Sequence, residues 1–76
     1  MPHVIVKLFP GRSEQQKTRL AEQITKVVMA EAVCDESAVS VSIIDIAPER
    51  WTPDVYTPDI LGNPGALYKK PGYKPS

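Results

Sequence analysis

The chain has 76 residues, and nine Lys and Arg balance nine Asp and Glu, so its formal charge is zero. That length fits one small domain, in which buried apolar surface barely offsets the conformational entropy lost on folding. The single cysteine, Cys34, excludes an intramolecular disulfide, and one histidine with one cysteine cannot supply the four ligands of a structural zinc site. We therefore expect no metal site, and we expect a homo-oligomer to provide the missing support.

Composition also limits partners and location. No cluster of basic residues is longer than Lys69-Lys70, which argues against nucleic acid as a partner. No run approaches the roughly 20 apolar residues of a membrane helix, and the first residues lack the apolar run of a signal peptide. We expect a cytoplasmic protein that binds neither nucleic acid nor membranes.

The first two thirds of the chain predict two strands and a helix. Residues 3–9 are rich in β-branched side chains and end at Pro10-Gly11, which predicts a strand and a turn. Ser13 and Gln16 have the spacing of a capping box, so a helix is expected to begin there. Residues 39–46 alternate apolar and polar and predict a second strand. The helix should carry one apolar stripe, formed by Leu20, Ile24, Val27, Val28 and Ala32.

Two strands joined by about 30 residues that contain a helix form a βαβ unit, with parallel strands and a right-handed crossover. The predicted fold class is therefore α/β. A sheet of two strands is marginal in water, and one helix covers only one of its faces, so we expect a second copy to complete it. The chain is interpreted as a single domain, with a core of residues 2–47 and a C-terminal arm of residues 48–76.

The arm is interrupted by proline, since six of the eight prolines follow residue 47. Thr52-Pro53-Asp54 and Thr57-Pro58-Asp59 each have the pattern of an N-cap followed by proline at the first helical position. They predict two short helical turns, which Gly62-Asn63-Pro64-Gly65 interrupts. We expect this arm to pack on a partner subunit.

Chemically active motifs are scarce. The sequence has no G-x-S-x-G, no glycine-rich phosphate loop and no H-E-x-x-H. His3 is interpreted as a partly exposed strand residue and Cys34 as a small buried one.

Pro2 is different, because removal of Met1 would turn its nitrogen into a secondary amine. A free α-amine has a pKa of about 8, and an apolar pocket or nearby cations move that pKa toward neutrality, as a general base requires. An intact Met1-Pro2 peptide bond would instead leave an amide that cannot accept a proton. A proline that merely starts a strand is the plain alternative.

Residues 2–17, PHVIVKLFPGRSEQQK, resemble the 4-oxalocrotonate tautomerase family. The resemblance consists of Met-Pro at the start, a strand of that length, Gly-Arg-Ser and Gln-Lys opening the helix, and a second strand at the expected distance. It covers residues 2–51. The tail, at residues 48–51 and 69–73, is similar to bacterial tautomerases with a longer arm, which are dimers, whereas shorter members are hexamers. The resemblance implies a cofactor-independent keto-enol tautomerase, and it favours a homodimer while leaving a hexamer open.

The resemblance also implies site residues. Pro2 would be the general base that moves a proton between the carbon alpha to a carbonyl and another position of a 2-oxo acid or its enol. Arg12 matches the family's substrate-binding arginine, with a solvated cation of the turn as the alternative. Trp51 matches the aromatic residue of the apolar pocket wall, with a tryptophan of the core or of a subunit interface as the alternative. Ser40 stands where members that use dicarboxylates have a second arginine, which favours a small anionic substrate with one carboxylate and an apolar end, such as phenylpyruvate. Ser40 is expected to donate a hydrogen bond, and Arg50 to lie at the rim or replace the missing charge.

Two other functions stay open. The same proline could activate water in a dehalogenase or hydratase that acts on a 3-halo or unsaturated acid. The chain could also be a non-catalytic, oligomeric binding module, a reading that an intact Met1-Pro2 bond in the working protein would favour.

Overall fold

The computed structural model describes residues 1–75 of the chain. The chain divides into two units, Met1–Asp45 and Ile46–Ser76. The first unit contains, in chain order, strand β1 (His3–Leu8), helix α1 (Glu14–Glu31), a 3₁₀ turn (Glu36–Ala38) and strand β2 (Ser40–Asp45). The second contains a 3₁₀ turn (Pro48–Arg50), a π-helical segment (Thr52–Leu61) and a 3₁₀ turn (Pro64–Ala66). None of the helices in the described residues is long and apolar enough to cross a lipid bilayer.

The two strands pair in parallel, with His3 opposite Ser40 at one end and Leu8 opposite Asp45 at the other. This confirms the predicted α/β fold and its βαβ unit. Strand β2 is one residue shorter at each end than the predicted segment of residues 39–46. Within residues 1–75 the sheet has only these two strands, so its outer edges are unpaired in the single chain.

Helix α1 begins at the predicted capping box. The hydroxyl of Ser13 accepts from the backbone N–H of Gln16 at 3.1 Å, and the Gln16 side chain accepts from the backbone N–H of Ser13 at 2.8 Å. These reciprocal bonds satisfy two amide groups that have no partner within the helix. Farther along, the ammonium of Lys17 donates to the carboxylate of Asp45 at 2.9 Å. Helix α1 therefore lies on the sheet face that Asp45 shares with Val4, Val6, Leu8, Val41 and Ile43.

The predicted apolar stripe of α1 is only partly correct. Ile24 and Val28 are half-buried as expected, but Leu20 and Ala32 are exposed and Val27 keeps 60% of its surface accessible. The side of the helix toward the sheet runs instead through Ala21 and Thr25, which are half-buried. Because neighbouring strands lie only about 5 Å apart, a sheet of two strands covers a narrow strip of a helix roughly 10 Å in diameter.

The short helical turns predicted for the arm are present, but the start of a second turn at Thr57 is wrong. Thr57 does not cap a second helix, because one π-helical segment continues through Pro58 to Leu61. A proline inside a helix lacks an N–H and crowds the carbonyl four residues earlier. The wider π-helical turn relieves that crowding, which explains how the segment continues.

Gly62 ends the π-helical segment, and its backbone N–H donates to the carbonyl of Thr57 at 2.8 Å. A Cβ atom at this position would lie 2.8 Å from the carbonyl oxygen of Pro58 and 2.9 Å from that of Thr57. The close approach of backbone to backbone therefore requires glycine here. Inside the same unit, Val55 and Tyr56 are buried, and the ring of Tyr56 lies 5.8 Å from that of Tyr73.

Candidate active site

Pro2 lies at the edge of the sheet where both strands begin. Its carbonyl accepts a hydrogen bond from the backbone N–H of Ser40 at 3.2 Å, and its own side chain is half-buried. Met1, by contrast, is fully exposed. The parallel register therefore brings together two of the predicted site residues, Pro2 and Ser40.

His3 belongs to the same cluster. Its Nδ1 atom lies 2.6 Å from the hydroxyl oxygen of Ser40, and both residues are exposed. The sequence alone suggested no functional role for His3. The signal that would have found it is the register, because aligning the starts of the two strands places His3 beside Ser40.

Arg12 lies beyond the other end of β1. The strand spans about 17 Å at its usual rise per residue, and the chain then turns at Gly11, whose φ of 129° favours glycine. The guanidinium of Arg12 is exposed and donates to the carbonyl of Phe9 at 3.2 Å. Within one chain, Pro2 and Arg12 are therefore too far apart to contact the same small molecule.

Arg50 and Trp51 both belong to the second unit. The guanidinium of Arg50 donates from Nε and Nη2 to the two carboxylate oxygens of Asp54, at 3.2 and 2.7 Å. The hydrogen bonds to Asp54 raise the pKa of Arg50 above its ordinary value. This two-point contact occupies one side of the guanidinium, so that side is not available to another carboxylate.

The indole of Trp51 is fixed by a residue that the sequence did not single out. Its Nε1–H donates to the hydroxyl of Tyr73 at 2.8 Å, and Tyr73 in turn contacts Tyr56. Trp51 is half-buried, so part of its ring remains accessible. No local pattern links residues 51 and 73, and only the folded arm brings them together.

Other features of the described residues carry less chemistry. Residues 1–75 contain no group of three or more His, Cys, Asp or Glu side chains placed to hold a metal ion. Cys34 is half-buried, with its sulfur 3.9 Å from the carbonyl of Val28. A shallow concavity along α1 contains none of the predicted site residues and is lined by Gln15, Thr18, Arg19, Glu22 and Gln23.

Comparison with known proteins agrees with the arrangement of β1, α1 and β2. A family model described as tautomerase enzyme matches residues 2–57. The chain belongs to the tautomerase family. Tautomerases are isomerases, so this tautomerase is an isomerase.

Its relatives match it over nearly their whole length. The chain is 42% identical over 73 residues to a probable tautomerase of Xylella fastidiosa (strain 9a5c), covering 96% of this chain and 89% of that protein. It is 37% identical over 75 residues to tautomerase PptA of Cronobacter sakazakii (strain ATCC BAA-894), covering 97% and 99%. Among solved structures, it is similar to TomN, a 4-oxalocrotonate tautomerase homologue of the tomaymycin biosynthetic pathway. That match has a TM-score of 0.63 and 34% identity, and it covers 66% of this tautomerase and 77% of TomN.

Proposed function

We propose that this tautomerase interconverts the keto and enol forms of a small 2-oxo acid, of the phenylpyruvate kind, without a cofactor and with Pro2 as the general base. The observation that carries the proposal is the position of Pro2. Its carbonyl is held at the start of the sheet by the N–H of Ser40, while Met1 before it is fully exposed. Removal of Met1 would leave a secondary amine at a fixed place on the sheet edge.

In the proposed reaction, the Pro2 amine takes a proton from the enol hydroxyl, and the resulting ammonium returns a proton to the carbon alpha to the carbonyl. The reverse direction removes the proton from that carbon first. Such transfer needs a base within about 3 Å of the substrate and with a pKa near the working pH. It also needs a cation or a hydrogen-bond donor for the charge that develops on the enolate oxygen.

Arg12 is the proposed binding group for the substrate carboxylate. Its guanidinium offers two parallel donors, and the N-terminus of α1, which begins at Glu14, adds partial positive charge nearby. Because Arg12 lies at the opposite end of β1 from Pro2, the arginine that serves a given Pro2 must come from a second copy of the chain. The unpaired sheet edges support a homodimer in which the sites form where copies meet.

The proposed substrate has one carboxylate. Ser40 replaces the arginine that binds a second carboxylate in the family, and Arg50 already contacts Asp54. A dicarboxylate would therefore leave one charged group without a cation. Trp51, which is half-buried and fixed through Tyr73, is the proposed apolar wall for an aromatic end.

The test of this proposal is the rate at which phenylenolpyruvate is converted to its keto form. Protein from which Met1 has been removed should be active, and Pro2→Ala should lose about 100-fold or more in kcat/KM, the usual share of a general base. Pro10→Ala, which changes a proline at the turn after β1, is the matched control and should keep its activity. Equal rates for the processed protein and Pro2→Ala would remove Pro2 from the mechanism.

Processing of Met1 needs a measurement of its own. The mass of the protein isolated from its native host should lack one methionine, because only the free amine can accept a proton. Protein that keeps Met1 should be inactive in the same assay. A working protein with an intact Met1-Pro2 bond would contradict the proposed base and favour a binding role.

A further inference from the structure

We propose that His3 is a positioning residue, which acts through Ser40 to hold the Pro2 amine in a fixed place beside β2. This inference rests on the proposed role of Pro2. In this proposal His3 and Ser40 fix the position of the base. The sequence had suggested instead that Ser40 contacts the substrate, and it suggested no functional role for His3.

The evidence begins with the way the first residues of the chain are attached. Ser40 holds them at two points, since its backbone N–H donates to the carbonyl of Pro2 at 3.2 Å and its hydroxyl oxygen lies 2.6 Å from Nδ1 of His3. The nitrogen of Pro2 has no N–H while Met1 is attached, and after Met1 is removed the proposed base needs this nitrogen free for the substrate, so it adds no bond to the strand pairing. The side chain of His3 therefore supplies a restraint next to Pro2 that the backbone of Pro2 lacks.

The contact between His3 and Ser40 does not take part in the packing of α1 on the sheet. Residues alternate between the two faces of a strand, so His3 and Ser40 lie on the face opposite α1. Both are exposed, and water could satisfy their polar atoms if the pair were broken. Loss of the bond should leave the fold intact and change chiefly the position of Pro2.

Small displacements of a general base have large effects on rate. A shift of about 1 Å in a reacting group can cost about 100-fold, because proton transfer requires a near-attack geometry. Once Met1 is removed, Pro2 has only one neighbour in sequence. The position of its amine therefore depends on how the residues that follow it are held. A bond 2.6 Å long at the next residue limits this movement.

The two roles considered for Ser40 differ in what they do to kinetic constants. A serine that binds substrate equally in the ground and transition states changes KM when it is removed, whereas a serine that positions the base changes kcat. Under the proposal, Ser40→Ala lowers kcat by about 10- to 100-fold and changes KM by less than about threefold. Ser42→Ala, two residues along the same face of β2, is the matched control and keeps the kcat of the original protein.

Substitutions of His3 test the contact atom. The polar side-chain atoms of asparagine are as many bonds from the backbone as Nδ1 of histidine is. Those of glutamine are one bond farther out, like Nε2 of histidine. His3→Asn should therefore keep kcat within about threefold, and His3→Gln should lower it about as much as Ser40→Ala. The double variant His3→Gln with Ser40→Ala should lose no more than either alone, because both changes break one interaction.

A second measurement does not depend on activity. Hydrogen exchange of the Ser40 amide, followed by NMR, should be faster in His3→Gln than in His3→Asn, because that amide is bonded to Pro2. The Ala32 amide, bonded to the carbonyl of Val28 at 2.9 Å at the far end of α1, should be unaffected.

These outcomes distinguish the two proposals. If Pro2→Ala abolishes activity while His3→Gln and Ser40→Ala keep kcat, the positioning role is overturned and the proposed base stands. A change confined to KM in Ser40→Ala also overturns it, in favour of substrate binding. If Pro2→Ala keeps full activity, the proposed function fails. Equal hydrogen exchange of the Ser40 amide in all variants would then also overturn the proposed restraint of Pro2 by His3 and Ser40.

Discussion

Val33 follows the last turn of α1 with a φ of 52°, the only positive φ of a residue other than glycine within residues 1–75. The next residue, Cys34, donates its backbone N–H to the carbonyl of Met29 at 3.2 Å, which is the bond of a Schellman motif. Glycine usually occupies this position, because a Cβ in the left-handed region costs about 1–2 kcal/mol. Val33 is also 85% exposed, so its side chain gives little packing in return.

Val33→Gly should therefore raise the free energy of unfolding, by about 1 kcal/mol after the greater entropy of glycine in the unfolded chain is allowed for. Urea denaturation at a fixed protein concentration measures the change, since association with a second copy also affects stability. Val33→Ala keeps the Cβ and should recover only part of the gain. A Val33→Gly protein less stable than the original would contradict the strain argument.

At the scale of secondary-structure elements, the 3₁₀ turn of Glu36–Ala38 directly precedes β2 and is capped by Asp35. The carboxylate of Asp35 accepts from the hydroxyl of Ser37 at 2.5 Å and from its backbone N–H at 3.2 Å. These bonds, with the hydroxyl bond the larger cause, lower the pKa of Asp35 below its ordinary value of 3.8. Because the ionised form is favoured in the folded protein, its stabilising effect is present above pH 3.8 and is lost as the pH falls through the lower, folded-state pKa.

Asp35→Ala should therefore be less stable than the original protein at neutral pH, and the difference should close as the pH falls below 3.8. Denaturant midpoints measured across the acid range give this comparison. Glu22→Ala, which removes an exposed carboxylate from the middle of α1, is the control. A gap of constant size down to the lowest pH would exclude the carboxylate as its cause.

The elements also indicate what a sequence can predict. The capping box of Ser13 and Gln16 was predictable because both bonds join residues three apart, and the strand pattern predicted the parallel unit. The course of the arm was not, because two equally good local N-cap patterns compete and the continuous π-helical segment uses neither threonine as its N-cap. The rotation of α1 about its own axis depends on how much of the helix a narrow sheet can cover. The periodicity of the helix sequence does not carry that information.

In the candidate site, too, some features follow from the sequence pattern and others require the folded chain. Pro2 and Ser40 are candidate site residues that the sequence already proposes, and their proximity follows from parallel pairing. The hydrogen bond between His3 and Ser40 required the register, and that between Trp51 and Tyr73 required the folded arm, since they join residues 37 and 22 apart.

At the scale of the whole molecule, apolar residues remain exposed on the sheet face away from α1. Ile5 keeps 54% and Ile44 41% of its surface accessible, although both lie within strands. A face of this kind in a two-stranded sheet is typical of a surface that another chain covers. The proposed homodimer supplies a second copy for that purpose.

We expect a mass in solution of twice 8.4 kDa, and we expect Ile5→Lys to shift the protein toward single chains by about tenfold or more in dissociation constant. Analytical ultracentrifugation over a range of concentrations measures both. Val33→Lys, which adds the same charge outside the sheet, should leave association unchanged. A dimer that tolerates Ile5→Lys would show that the contact between copies lies elsewhere.

The parallel register has a further consequence, for the order in which the chain folds. Every pair from His3 and Ser40 to Leu8 and Asp45 joins residues 37 apart, whereas the bonds of α1 join residues four apart. Local contacts form early and distant ones must first close a long loop, so α1 can be helical while β1 still has no neighbour. Pro2, which is bonded to Ser40 at the start of the sheet, would be among the last residues of this unit to reach its native position.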